Sequence, residues 1–129
     1  MKLGYTIMYV PDVEASVAFF EAAFGLKRRF VMAPDYGEID TGETTLGFAS
    51  HALGAANLPQ GYVEASASLV PLGVEVAFVT DDVDAAHAKA IAAGAVSLSA
   101  PAKKPWGQTV SHLRCPDGTL VELCTPVGG

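Results

Sequence analysis

A repeat constrains this chain more than anything else in it. Tyr5-Thr6-Ile7-Met8-Tyr9-Val10-Pro11-Asp12-Val13-Glu14-Ala15 has a counterpart in Glu75-Val76-Ala77-Phe78-Val79-Thr80-Asp81-Asp82-Val83-Asp84-Ala85. Each is an apolar, strand-like run that ends in acid, valine, acid, alanine. Such self-similarity means that one supersecondary unit occurs twice and that the copies share a core neither closes alone. Asp12 and Asp82 are placed to cap helices, because a short carboxylate accepts bonds from the free amides of the first turn. Alanine-rich helices are predicted over Val13 to Phe24 and Val83 to Ala93, stopping at Gly25 and Gly94. In the first, Val13, Val17, Phe20 and Phe24 recur at helical spacing and are predicted to face a sheet.

Strand material follows each helix. In the first half it is Leu26 to Met32, Tyr36 to Asp40 and Thr44 to Ala49, with a turn at Thr41-Gly42-Glu43. In the second it is Ala95 to Ser99, Gln108 to Arg114 and Thr119 to Thr125, with a turn at Pro116-Asp117-Gly118. Each half therefore reads β-α-β-β-β, and the fold class is α+β. The expected organisation is one domain over 1–129, with module one at 1–50, a linker at 51–73 and module two at 74–129. The linker holds Pro59, Pro71 and several glycines and is long for a connection, which suits a lid, an interface arm or a mobile segment.

Half of the 129 residues are hydrophobic and 17% are charged, so apolar material for a core is ample. No run approaches the roughly 18 apolar residues of a membrane helix, and no signal region precedes the first strand, so no membrane partner and a cytoplasmic location are expected. A net charge of −6 argues against a nucleic-acid partner, which needs a basic face. Lys27-Arg28-Arg29 and Lys103-Lys104 read as solvated strand ends or loops. Cys115 and Cys124 lack metal-type spacing and are expected to be free thiols.

Val10-Pro11-Asp12-Val13, Phe19-Phe20-Glu21, Asp81-Asp82-Val83-Asp84, Pro105-Trp106-Gly107-Gln108 and Pro116-Asp117-Gly118-Thr119-Leu120-Val121-Glu122-Leu123, in this order and within the repeat, carry a family likeness. The chain resembles the vicinal oxygen chelate superfamily of glyoxalase I, extradiol dioxygenases, fosfomycin-resistance enzymes and bleomycin-binding proteins. The resemblance covers nearly the whole chain and weakens in the linker. It implies an open eight-stranded cup made by two curved sheets, a small-molecule ligand and a homodimer. Metal-dependent members take ligands from positions that match Tyr5, Gly47, Glu75 and Glu122. Two of the four are carboxylates and Gly47 offers no donor, so no metal of the usual kind and no cofactor are expected. The alternative is a divalent metal (Mn, Zn, Fe or Ni) held by Glu75 and Glu122.

Strand alternation places Glu122 opposite core residues Val121 and Leu123, facing the cup. Glu75 interrupts an apolar strand, where a carboxylate needs water, a cation or a proton. A register pairing Arg114 with Leu120 sets His112 opposite Glu122, either to bind a polar group and relay a proton or to stabilise the sheet. Glu122, His112 and Glu75 are thus the candidate catalytic residues. Tyr5, Ile7 and Tyr9 share one face and, with Gly47, are candidates for lining the cup. Trp106 is either a stacking residue for a flat or cationic ligand or a loop anchor. His51 and His87 read as surface or helix-edge residues. No nucleophile elbow and no phosphate loop is visible. The expected function is a small-molecule pocket, for an organic ligand of aromatic or cationic kind, without the usual metal. The alternatives are a divalent-metal-dependent lyase, isomerase or dioxygenase, and a metal-free enzyme using Glu75 or Glu122 as base with His112.

Overall fold

The computed structural model describes residues 1–128. Module one runs β1 (Tyr5–Val10), α1 (Val13–Phe24), β2 (Lys27–Met32), β3 (Tyr36–Asp40) and β4 (Thr45–Ser50). The linker follows, with helix α2 (His51–Asn57) and a single 3-10 turn at Ala65–Ala67. Module two runs β5 (Glu75–Val79), α3 (Val83–Ala93), β6 (Val96–Lys103), β7 (Thr109–Arg114) and β8 (Leu120–Cys124). The two four-stranded sheets have equivalent orders, β1-β4-β3-β2 and β5-β8-β7-β6, and do not close into a barrel. In each, the first strand pairs in parallel with the last, while the other neighbours are antiparallel.

Local chemistry explains the helix ends. The Asp12 carboxylate accepts from the Ala15 amide and the Asp82 carboxylate from the Ala85 amide, both at 3.0 Å. Gly25 ends α1 at φ 65°, a conformation that a Cβ disfavours. The predicted inner face of α1 is the observed one: Val13, Val17 and Phe20 are buried, with Phe24 packed at the margin. Phe20 touches Phe48 of the first sheet and reaches Phe78 of the second, with centroids 4.9 and 6.3 Å away. One side chain thus belongs to both modules, and burying it is worth on the order of 2–3 kcal/mol. Helices α1 and α3 pack together and cover one face of both sheets. Ser16 on α1 donates to Asp117 of the β7–β8 turn at 2.7 Å, and the other Asp117 oxygen accepts from the Thr119 amide. That buried bridge ties module one to module two.

Several expectations change. Strand β6 continues past Ser99 to Lys103, through Pro101; its edge position needs no amide from that proline. The linker is partly helical, with Ser50 capping α2 by accepting from the Leu53 amide. His87 is not a surface residue: it is buried between α3 and its sheet, with Nδ1 and Nε2 each 2.9 Å from the hydroxyls of Ser111 and Ser97. His51 is half-buried and bonded to Tyr62. Arg28 and Arg29 are paired rather than merely solvated, Arg28 with Glu14 and Glu21, Arg29 with Glu38. Cys115 and Cys124 are free, as expected, and both are buried. Among the described residues no helix is long and apolar enough to cross a membrane.

Candidate functional site

The open faces of the two sheets carry the polar groups. Registers align Ala77 with Glu122 and Glu122 with His112 across β5, β8 and β7. The predicted pairing of Arg114 with Leu120 and of His112 with Glu122 is the observed one. Glu75 lies on the same face, two residues before Ala77. His112 Nε2 stands 3.3 Å from a Glu122 oxygen and 3.6 Å from a Glu75 oxygen. Its other nitrogen, Nδ1, is 2.7 Å from the Ser99 hydroxyl, which fixes the ring plane and leaves Nε2 toward the carboxylates. Ligand atoms of Glu75, His112 and Glu122 all lie within 4.8 Å of one another.

Two carboxylates this close repel. Burial, the Glu122 charge and a hydrogen bond with Glu122 push the Glu75 pKa up, while His112 pulls it down. The nearby Cys124 thiol is also pushed up, by burial first and then by Glu122, so it stays protonated. Among the described residues His112 is the only ion-pairing partner of either carboxylate.

The first sheet repeats this geometry with other chemistry. Ile7 aligns with Gly47, and Gly47 with Glu38, so Gly47 is the counterpart of Glu122 and Glu38 that of His112. The reason Gly47 is bare is steric: a Cβ there would stand 2.6 Å from the Tyr36 hydroxyl. That hydroxyl donates to Glu38 at 2.8 Å, and Arg29 donates to the other Glu38 oxygen at 3.3 Å. Burial, then the Glu38 bond, pushes the Tyr36 pKa up to about 12. Glu38, buried at 8% exposure, thus has both a cation and a hydroxyl. The four-ligand arrangement implied by the resemblance does not fit, because Gly47 has no donor and Tyr36 fills the space beside it.

A cavity of about 310 Å³ lies between the facing edges of β1 and β5, walled by the linker. Ile7, Met8, Tyr9 and Leu120 line it from the strands, Tyr62, Val63 and Leu72 from the linker, and Val74 from the residue just before β5. Glu75 is its one charged lining residue, so the cavity adjoins the Glu75–His112–Glu122 cluster. Tyr62 stacks on Tyr9 with centroids 4.9 Å apart, and His51 Nδ1 holds its hydroxyl at 2.7 Å. Gly54 makes room for that ring, since a Cβ there would meet the hydroxyl at 2.3 Å. Arg114 clamps the linker by donating to the carbonyls of Ala65 and Ser68 at 2.9 and 2.8 Å.

Of the residues singled out from sequence, Ile7, Tyr9 and Glu75 line the cavity, and Glu75, His112 and Glu122 cluster. Tyr5 and Gly47 lie on the open face of the first sheet but do not line the cavity. Trp106 sits at the exposed β6–β7 tip with its indole N–H donating to Gln108 at 2.7 Å. Sequence reasoning missed Tyr36, Glu38, Ser99 and Tyr62. Strand alternation within Tyr36–Asp40 signals Glu38; Ser99 was hidden by the irregular β6 register, and Tyr62 by a linker without periodicity.

A profile of the Glyoxalase/Bleomycin resistance protein/Dioxygenase superfamily matches residues 2–123. Comparison with the curated proteins finds no match. Among solved structures, a family enzyme from Burkholderia phytofirmans PsJN is 25% identical, with TM-score 0.82 over 97% of this chain and 98% of that one. A glyoxalase-related enzyme from Fulvimarina pelagi is 18% identical, with TM-score 0.84 over 98% and 88%. A family protein from Nocardioides is 22% identical, with TM-score 0.77 over 100% and 85%.

Proposed function

Because this chain belongs to the Glyoxalase/Bleomycin resistance protein/Dioxygenase superfamily, a fold that hosts both enzymes and binders, we propose that it binds a small organic molecule in the cavity beside β1 and β5. The observation that carries this reading is the cavity itself: about 310 Å³, walled by aliphatic and tyrosine side chains, with one carboxylate at Glu75. A space of this kind forfeits dispersion contacts while open and regains them with an apolar guest. The complementary ligand has an aromatic or aliphatic body and a cationic or hydrogen-bond-donating end, directed at Glu75.

Fluorescence of the neutral probe N-phenyl-1-naphthylamine tests this. Enhancement that saturates in the micromolar range and disappears in Leu72→Trp, with unchanged circular dichroism, is expected. Enhancement that is absent, or that survives both Leu72→Trp and Tyr62→Ala, refutes it.

A catalytic reading is favoured by the Glu75–Glu122 pair. A carboxyl raised by burial and then by its neighbour, beside an imidazole, suits transfer of a proton between ligand atoms, as in an isomerase or lyase. Its signature is an activity lost in Glu75→Gln. Tyr5, Ile7 and Val79 leave apolar surface exposed on the open faces, which supports a homodimer, checked by sedimentation equilibrium. The two free buried thiols support a reducing, cytoplasmic setting.

A further inference from the structure

We propose that the cavity takes an amide-bearing ligand, a short extended peptide, and holds it through the free backbone edges of β1 and β5. This deepens the cavity reading and rests on it. Four consecutive β1 residues, Thr6 to Tyr9, line the cavity, as do Val74, Glu75 and Val76 at the entry to β5. Side chains of a strand alternate between its faces, so consecutive residues share one wall only where the strand presents its edge. β1 and β5 each stand at an edge of their sheet and turn that edge toward the same space.

The registers say which groups are free there. The Thr45 amide donates to the Gly4 carbonyl, and the unbroken parallel pairing with β4 then uses the amides and carbonyls of Thr6 and Met8. Those of Ile7 and Tyr9 point the other way, toward the cavity. In β5 the Thr80 amide donates to the Cys124 carbonyl, which by the same alternation commits Val76 and Phe78 to β8 and leaves Glu75 facing outward. Among the described residues, no backbone bond of a turn or loop uses Ile7, Tyr9 or Glu75. Each therefore offers one N–H and one C=O to whatever fills the cavity.

The two outer edges are defended, and these inner ones are not. β2 carries Lys27, Arg28 and Arg29, and β6 carries Pro101 and Lys103, residues that deter pairing with another chain. β1 and β5 hold no lysine, arginine or proline. The linker roofs their edges instead, through Tyr62, Val63 and Leu72. That roof keeps out a second folded chain and leaves about 310 Å³, which limits the ligand to a dipeptide or its like. In such strand-edge recognition main-chain bonds supply affinity and the walls select side chains. The apolar walls suit leucine and valine, and Glu75 suits the ammonium of a free peptide N-terminus.

Competition against N-phenyl-1-naphthylamine on the full chain tests this. Leucyl-valine amide should displace the bound probe with an inhibition constant below about 1 mM. Its ester analogue, with oxygen in place of the peptide N–H, should bind roughly 2- to 12-fold less well, the loss of one neutral hydrogen bond. Ile7→Pro removes an outward amide that the ladder does not use, a place where an edge strand tolerates proline. It should weaken the dipeptide more than the probe, by a similar factor, with Ile7→Val as the side-chain control. The ester comparison stands on wild type alone if Ile7→Pro does not fold. The proposal is overturned, with the cavity reading intact, if the probe binds and leucyl-valine amide fails to displace it below about 1 mM, or if the ester competes as well as the amide. If the probe itself does not bind, the cavity reading falls and this one falls with it.

Discussion

Gly47→Ala should destabilise this protein, and removing one aromatic ring should reverse the sign. The new Cβ would lie 2.6 Å from the Tyr36 hydroxyl and 3.1 Å from two of its ring carbons. Strand β4 is paired on both sides, by β1 and β3, so its backbone has little freedom to retreat. Tyr36 must swing away and lose its bond to Glu38. A bond to a carboxylate is worth about 1.5–3 kcal/mol, and Glu38 would keep only the longer contact with Arg29. Against this, alanine in a strand gains about 0.5–1 kcal/mol over glycine. The net expectation is a loss of about 1–2 kcal/mol, or about 4–8 °C in Tm for a domain of this size. In a Tyr36→Ala background the obstruction is gone, and Gly47→Ala should then stabilise by about 0.5–1 kcal/mol. Urea unfolding of the four proteins of the cycle gives the comparison. A change within about 0.5 kcal/mol in wild type, or the same sign in both backgrounds, would refute the steric account of Gly47.

Two further outcomes follow from buried polar groups. Burial holds the His87 pKa below its ordinary 6.5, against a smaller upward pull from Asp84; the folded ring is neutral where the unfolded one takes a proton. Its stabilisation is therefore complete above about pH 6.5 and is lost as pH falls from there toward the folded value, with a slope of up to about 1.4 kcal/mol per pH unit. Urea midpoints between pH 8 and pH 5 should fall less steeply in His87→Gln than in wild type; equal slopes would count against it. Asp117→Ala should cost about 2–4 kcal/mol, because the Ser16 hydroxyl and the Thr119 amide both lose a buried acceptor. Equilibrium unfolding should show a smaller loss in Asp117→Asn, and equal losses would mean that the bridge does not act through its acceptor oxygens.

The repeat made the architecture legible because both signals were local: a capping aspartate before each helix and a glycine after it. The hairpin at Pro116-Asp117-Gly118 fixed one register, and through it the meeting of His112 with Glu122. What escaped depended on contacts between distant segments. Nothing in a single-strand pattern says that Tyr36 crosses Gly47, and a glycine at a position matching a ligand reads as a loss until that ring is seen. His87 looked like a helix-edge residue because its helix is alanine-rich, yet Ser97 and Ser111 satisfy both of its nitrogens from two strands. Trp106 is the one tryptophan, but rarity does not place a side chain, and an exposed hairpin tip keeps it from the cavity.

The parallel pairing of first and last strands in each module also orders events on the ribosome. Once Ser50 has emerged, β4 can slot between β1 and β3 and the leading sheet is whole. The trailing sheet stays split until Leu120–Cys124 is made, because β8 is the strand that joins β5 to β7. The strands of the leading sheet are therefore all made before those of the trailing one, while the shared core still lacks β8 and Ser16 lacks Asp117. The acidic cluster shares that delay, since Glu122 lies on β8.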